Sequence, residues 1–177
     1  MKAIVVYESH WGNTANIAAA IAAGLGPDVK ALNTDEATRE ILADLDLIVV
    51  GAPVMGFRLP TDQMREQIAS DPGKGPTPAD VSHPSMRDWL EALPDGHAGA
   101  AVFETRIWWS PGGATGTIEK GLLHHGYYQL SDPERFVVKG TYGPLRDGET
   151  ERARQWGAQL AAKVSIKEPE LAGTPAG

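Results

Sequence analysis

Tyr7-Glu8-Ser9-His10-Trp11-Gly12-Asn13-Thr14 stands between the apolar run Ala3-Ile4-Val5-Val6 and an alanine-rich segment carrying Ile17, Ile21 and Leu25. The first run is short, unbroken and β-branched, so it reads as a strand buried on both faces. Spacing of four residues, with Ala18 and Ala22 alongside, gives the second segment an apolar helical stripe. The octet is therefore a strand-to-helix connection, the place where an open α/β sheet holds a phosphate. Ser9, Asn13 and Thr14 bring side-chain donors, and Gly12 lets backbone approach a bound group without a Cβ. A helix's first N–H groups have no partner within the helix and its dipole is positive at that end, so an anion can be held without a cation. No Lys or Arg occurs between residues 3 and 29. Ser, Gly, Asn and Thr also serve as ordinary turn and capping residues at such a connection.

Neither G-x-x-x-x-G-K-[ST] nor G-x-G-x-x-G is present, which argues against a nucleoside triphosphate or a dinucleotide. A hydroxyl and amide loop without lysine suits a terminal phosphate monoester. Here the sequence resembles the flavodoxin family, whose [S/T]-x-x-G-x-[T/S] loop follows the first strand and grips the FMN phosphate; Ser9, Gly12, Asn13 and Thr14 fit it. Trp11 replaces the Thr common in small flavodoxins and resembles the flavodoxin domains of flavodiiron proteins. The ending Val138-Lys139-Gly140-Thr141-Tyr142-Gly143-Pro144-Leu145 with the helix after it is also similar to the family's last strand and helix.

The 177 residues, 42% hydrophobic, suffice for one domain with a substantial core. A net charge of −7 without a basic cluster argues against nucleic acid and anionic membranes as partners. With no cysteine, disulfides, thiolate metal sites, iron–sulfur clusters and cysteine nucleophiles are excluded. No signal-peptide pattern and no membrane-length apolar run occurs, so a cytoplasmic protein without membrane insertion is expected.

Strand and helix alternate along the chain, predicting an α/β three-layer sandwich on a parallel sheet. Strands are expected at 29–32, 45–51, 98–103 and 135–139, with a short one at 127–130. Helices are expected from Asn33 or Thr34 through Leu42, with Glu36 placed for a capping box, and at 61–70, 85–93, 115–125 and 150–164. Asp71 to Pro84 reads as a surface excursion. Residues 1–164 form the expected domain, and 165–177 an expected mobile tail. The resemblance implies five strands in the order 2-1-3-4-5, with a ligand crevice beyond the carboxyl ends of strands 1, 3 and 4.

Three loops then converge, and the resemblance gives them an FMN site: Ser9, His10, Trp11, Gly12, Asn13 and Thr14 in the first, Pro53, Val54, Met55, Gly56 and Phe57 in the second, and Glu104, Thr105, Arg106, Trp108 and Trp109 in the third. Flavodoxins lay an aromatic on the inner flavin face from the second loop while a flexible peptide faces N5. This chain offers Met55, Phe57 and Gly56 there; packing against the core is the alternative for the two side chains. In the third loop, two adjacent tryptophans between Arg106 and a Gly/Pro run are expected to send one ring to the flavin, with core packing or dimer contact as alternatives. An Arg106 turned inward about 5 Å from the reduced, anionic flavin would stabilise it by roughly 3 kcal/mol at an effective dielectric near 20. That is a shift on the order of 100 mV.

Glu8-Ser9-His10 has the letters of a triad, but consecutive residues cannot converge, and no G-x-S-x-G elbow exists. His124 and His125 lack i, i+4 spacing, so no metal site is expected. A phosphoacceptor domain needs an Asp ending strand 3, where this chain has Ala52-Pro53. The expected function is a soluble one-electron carrier with redox protein partners or a small-molecule acceptor. The alternative is an FMN-dependent NAD(P)H:quinone-type oxidoreductase, with a flavodoxin-like scaffold that has lost FMN as a third possibility. Hydride transfer to FMN demands no acid–base residue, so none is assigned.

Overall fold

β1 (Ala3–Tyr7) lies inside a parallel sheet, flanked by β2 (Lys30–Asn33) and β3 (Leu47–Pro53), and β3 pairs with β4 (Gly99–Ile107). Two segments share the lane beyond β4. β5 (Tyr128–Gln129) pairs with Gly99 and Ala100, while β6 (Glu134–Val138) pairs with Phe103 through Ile107. The order is the expected 2-1-3-4-5, with the fifth lane broken between its halves. The computed structural model describes residues 1–71 and 73–172, the side chains of 167–172 excepted.

Alternation along the strands sends neighbouring residues to opposite cores. Val5, Leu47 and Val49 meet Ile17 and Ile21 of α1 (Asn13–Leu25) and Trp156 and Leu160 of α6 (Glu149–Ala172). Ile4, Val6, Ile48 and Val50 meet Met86, Trp89 and Leu90 of α4 (Met86–Glu91) and Ile118 and Leu122 of α5 (Thr115–His124). β1 and β3 carry no charged residue because helices cover both faces of the sheet. All three layers thus follow from the hydrophobic pattern. α2 (Arg39–Leu42) and α3 (Asp62–Ser70) sit in the connections around β3.

Three expectations need correction. β4 runs four residues past Phe103, so Glu104, Thr105 and Arg106 are strand rather than loop; β6 supplies backbone partners there, and all three are nearly or fully buried. The helix expected from residue 33 or 34 is one turn, α2. The predicted capping box still forms, with the Asn33 N–H donating to Glu36 at 3.0 Å and the Glu36 N–H to Asn33 at 3.1 Å. It closes a turn because Thr34 donates to the Pro84 carbonyl and the Trp89 indole to the Ala37 carbonyl, holding the chain in place. α6 passes Val164 and reaches Ala172. Of the expected tail, 173–177 lie outside the described residues.

Glu149, 2% exposed, ties α6 to the sheet. It accepts from the Val137 N–H at 2.9 Å, Arg146 at 2.7 Å and Arg152 at 2.6 Å. Burial alone pushes its carboxyl up, but the bonds from Arg152, Val137 and Arg146 together hold it below its ordinary 4.5. A depressed folded value gives stability that is present above 4.5 and lost as pH falls through the folded value. Glu149→Gln should therefore cost about 2 kcal/mol at neutral pH. Denaturant titrations should show the two proteins converging in acid. An equal gap at both pH values contradicts this role.

Candidate functional site

The carboxyl ends of β1, β3 and β4 enclose a cavity of about 210 Å³. Ser9, His10, Trp11, Asn13 and Thr14 of the octet line its floor. Gly12 has φ +89°, which turns the chain from strand into helix, and a Cβ placed there would meet nothing within 4 Å, so the space above it is open. The Gly12 N–H donates to the Ser9 hydroxyl at 3.1 Å. No side chain caps α1, leaving its first-turn N–H groups to a ligand or solvent. Thr14, 2% exposed, shares a 2.8 Å hydroxyl bond with Thr105, locking the nest to β4. The Asn13 amide is spent elsewhere, donating to the Tyr142 carbonyl at 3.1 Å.

Trp11 is held at the side. Its indole N–H donates to the Thr77 carbonyl at 3.2 Å, and its ring meets Tyr142 edge-on with centroids 4.9 Å apart. The excursion is bound to the same loop, since the Asp80 N–H donates to the His10 carbonyl at 2.9 Å. It braces the nest from outside, and no described residue of 71–84 lines the cavity.

Pro53, Val54, Met55, Gly56 and Phe57 form the second wall. Met55 and Arg58 exchange backbone bonds of 2.9 and 3.1 Å, closing a two-residue hairpin with Gly56 at φ +51° and Phe57 at φ +68°. That geometry is a type I′ turn, where a non-glycine second residue is strained by about 1 kcal/mol. The Gly113 N–H donates to the Phe57 carbonyl at 3.0 Å, lacing this hairpin to the third loop.

On the third wall, Thr105, Arg106 and Trp109 face the cavity. Gly12, Glu104 and Trp108 do not line it; Gly12 lines a second cavity instead. Trp108 is 75% exposed, and of the two adjacent indoles only Trp109 lines the cavity. Glu104 is fully buried behind the wall. It accepts from the first-turn Ala114 and Thr115 N–H groups of α5, at 2.7 and 3.1 Å, and from Arg106 at 2.8 Å. Arg106 therefore turns inward as a paired charge, which weakens the field it can exert on a ligand.

Behind the nest is a second, polar cavity of about 130 Å³. His10, lining both cavities and 4% exposed, donates from Nδ1 to the Asp80 carbonyl at 2.9 Å and turns Nε2 to Glu8 Oε1 at 3.5 Å. Glu8 Oε2 accepts from the Met86 N–H at 3.0 Å. Arg65 lies 3.3 Å from Oε1 and donates to the Val81 and His83 carbonyls. Burial pushes Glu8 up and His10 down from their ordinary values, with Met86 and Arg65 opposing the first shift and the Asp80 carbonyl the second.

Sequence reading missed Ile107, Ser110, Val138 and Thr141 on the cavity wall. The last two mark a fourth loop, following β6. Its Gly143-Pro144 pair is a turn signal, but nothing local shows that Gly143 packs on Asn13, where an added Cβ would stand 2.5 Å from Oδ1.

The family described as flavodoxin domain matches residues 4–69. No curated protein matches the sequence. A flavodoxin from the domain Archaea superposes with a TM-score of 0.62 at 23% identity, over 93% of this chain and 99% of that one. A metal-soaked flavodiiron core from Synechocystis sp. PCC6803 gives 0.61 at 20%, over 93% of this chain and 36% of that one. A flavodoxin, WrbA-like protein from Agrobacterium tumefaciens gives 0.54 at 17%, over 93% and 97%. The fold is flavodoxin-like, and no helix among the described residues is long and apolar enough to cross a membrane.

Proposed function

We propose that the protein binds FMN in the larger cavity and carries single electrons between redox partners. One observation carries the reading: an open, cation-free helix N-terminus opens on the same cavity as the apolar side chains of Met55, Phe57 and Trp109. That pairing suits a ligand with a dianionic end and a flat apolar end. First-turn N–H groups of α1 with the Ser9 and Thr14 hydroxyls would hold the phosphate, while Met55, Phe57 and Trp109 would flank the ring. When bound, FMN supplies reversible one-electron chemistry. The chain's part is to fix the phosphate, screen the ring from water and set the charge beside it. Phe57 and Trp109 are more than half exposed, at 51% and 58%, and offer a partner an apolar contact at the mouth.

Stepwise reduction of the FMN-loaded protein tests the carrier role. A one-electron-reduced form should accumulate, with no rapid turnover of a nicotinamide and a quinone. Rapid turnover instead assigns an FMN-dependent reductase.

Gly12→Val isolates the nest. The φ of +89° strains a β-branched residue, and its methyls would fill the open space above the turn. FMN affinity should fall by about tenfold or more, at least 1.4 kcal/mol, while riboflavin affinity changes little. Equal losses for both ligands would place the phosphate elsewhere.

A further inference from the structure

The second cavity contains a problem of hydrogen-bond accounting. The Asp80 carbonyl can only accept, so the His10 Nδ1 at 2.9 Å carries a hydrogen, and in the neutral ring Nε2 is then a bare acceptor. Nε2 faces Glu8 Oε1 at 3.5 Å; neither atom has a hydrogen-bond partner, and the Arg65 guanidinium 3.3 Å from Oε1 is an ion-pair contact outside hydrogen-bond geometry. Two acceptors aimed at one another in a buried site repel each other unless a hydrogen lies between them.

We propose that Glu8 and His10 share one proton behind the anion nest, and that a phosphate dianion bound in the nest is linked to retention of that proton. The inference rests on the nest binding phosphate. With the proton in place, Glu8, His10 and Arg65 sum to +1, whichever of the pair holds it. Without it they sum to zero, because the Glu8 carboxylate then cancels the Arg65 guanidinium 3.3 Å away and the net positive charge on the far side of the nest wall is lost. The other charged groups facing the pair are Asp62 on α3, Asp80 and His83 on the excursion, and Arg87 on α4. Tyr7 also lines the cavity. Linkage is reciprocal, so a dianion tightens the proton and loss of the proton weakens the dianion.

The test is FMN affinity between about pH 7, above the second phosphate ionisation, and about pH 9.5, below the ordinary tyrosine range. In the wild type it should fall by about tenfold as pH rises, and calorimetry in two buffers of different ionisation enthalpy should register proton uptake on binding at the alkaline end. Riboflavin should show no slope. Glu8→Gln supplies an amide hydrogen to Nε2 at every pH and keeps the Met86 acceptor, so its FMN affinity should be flat and exceed the wild type's in alkali. A flat wild-type profile, or the same slope in Glu8→Gln, overturns the shared proton while leaving FMN binding intact. If FMN binds at no pH, the nest's phosphate role fails first.

Discussion

Gly24→Val should destabilise the protein by about 3 kcal/mol or more, among the largest losses expected of a single methyl-bearing side chain. Helix propensity points the other way, since an interior glycine costs a helix about 1 kcal/mol relative to alanine. Packing decides the sign. A Cβ at Gly24 would stand 1.9 Å from the Arg154 carbonyl oxygen, and one at Gly157 would stand 2.3 Å from that of Ile21. The two glycines face each other where α1 crosses α6, and the obstructing atoms are backbone, so relief requires the helices to separate. Because α1 carries the anion nest at its other end, affinity for FMN should fall along with stability. Gly116→Ala in α5 is the control: nothing lies within 4 Å of its added Cβ, so it should be neutral or slightly stabilising. Comparable denaturation midpoints for Gly24→Val and wild type would show that the crossing is looser than described.

Glu104→Leu should cost about 3 to 5 kcal/mol, because it strips the partner from a buried guanidinium. Arg106 would retain the Gly112 carbonyl at 3.0 Å, while the Ala114 and Thr115 N–H groups would lose the carboxylate that caps α5. Glu104→Gln separates charge from shape: an amide oxygen can still cap the helix, but the charge opposing Arg106 is gone. The potential of bound FMN should rise in this variant, since the reduced, anionic form gains from an unopposed cation. Arg106→Gln should lower it by much less than the shift on the order of 100 mV expected for an unpaired cation at that distance. Glu104 at 2.8 Å already offsets most of that charge. Potentiometric titration reads both signs, and a fall in Glu104→Gln would contradict the pairing argument.

β1, β3 and α1 were legible because they bury apolar residues as unbroken β-branched runs and at four-residue helical spacing. The end of β4 was not. Glu104, Thr105 and Arg106 look like loop residues, and their burial depends on β6, some thirty residues downstream, and on a helix end that needs a carboxylate. At Asn33 the capping signal was correct in its hydrogen bonds but wrong in its consequence, since the Thr34 and Trp89 bonds outcompete continuation of the helix. In the candidate site, the three loops that converge were visible from topology. The fourth loop was hidden because its links to the nest, the Asn13 bond to the Tyr142 carbonyl, the Trp11–Tyr142 ring contact and the packing of Gly143 on Asn13, span 129 or more positions of sequence. The role of the excursion was hidden for the same reason: Thr77 and Asp80 engage Trp11 and His10 across the surface.

The central claim is that the cation-free nest at the start of α1 anchors the phosphate of FMN. Fluorescence titration of the purified protein with FMN and, in parallel, with riboflavin measures this directly. The account predicts quenching by FMN binding at micromolar or lower concentration, with riboflavin bound about a hundredfold more weakly, a difference of roughly 2.7 kcal/mol assigned to the nest. Equal affinity for the two flavins, or no binding of either, would contradict it.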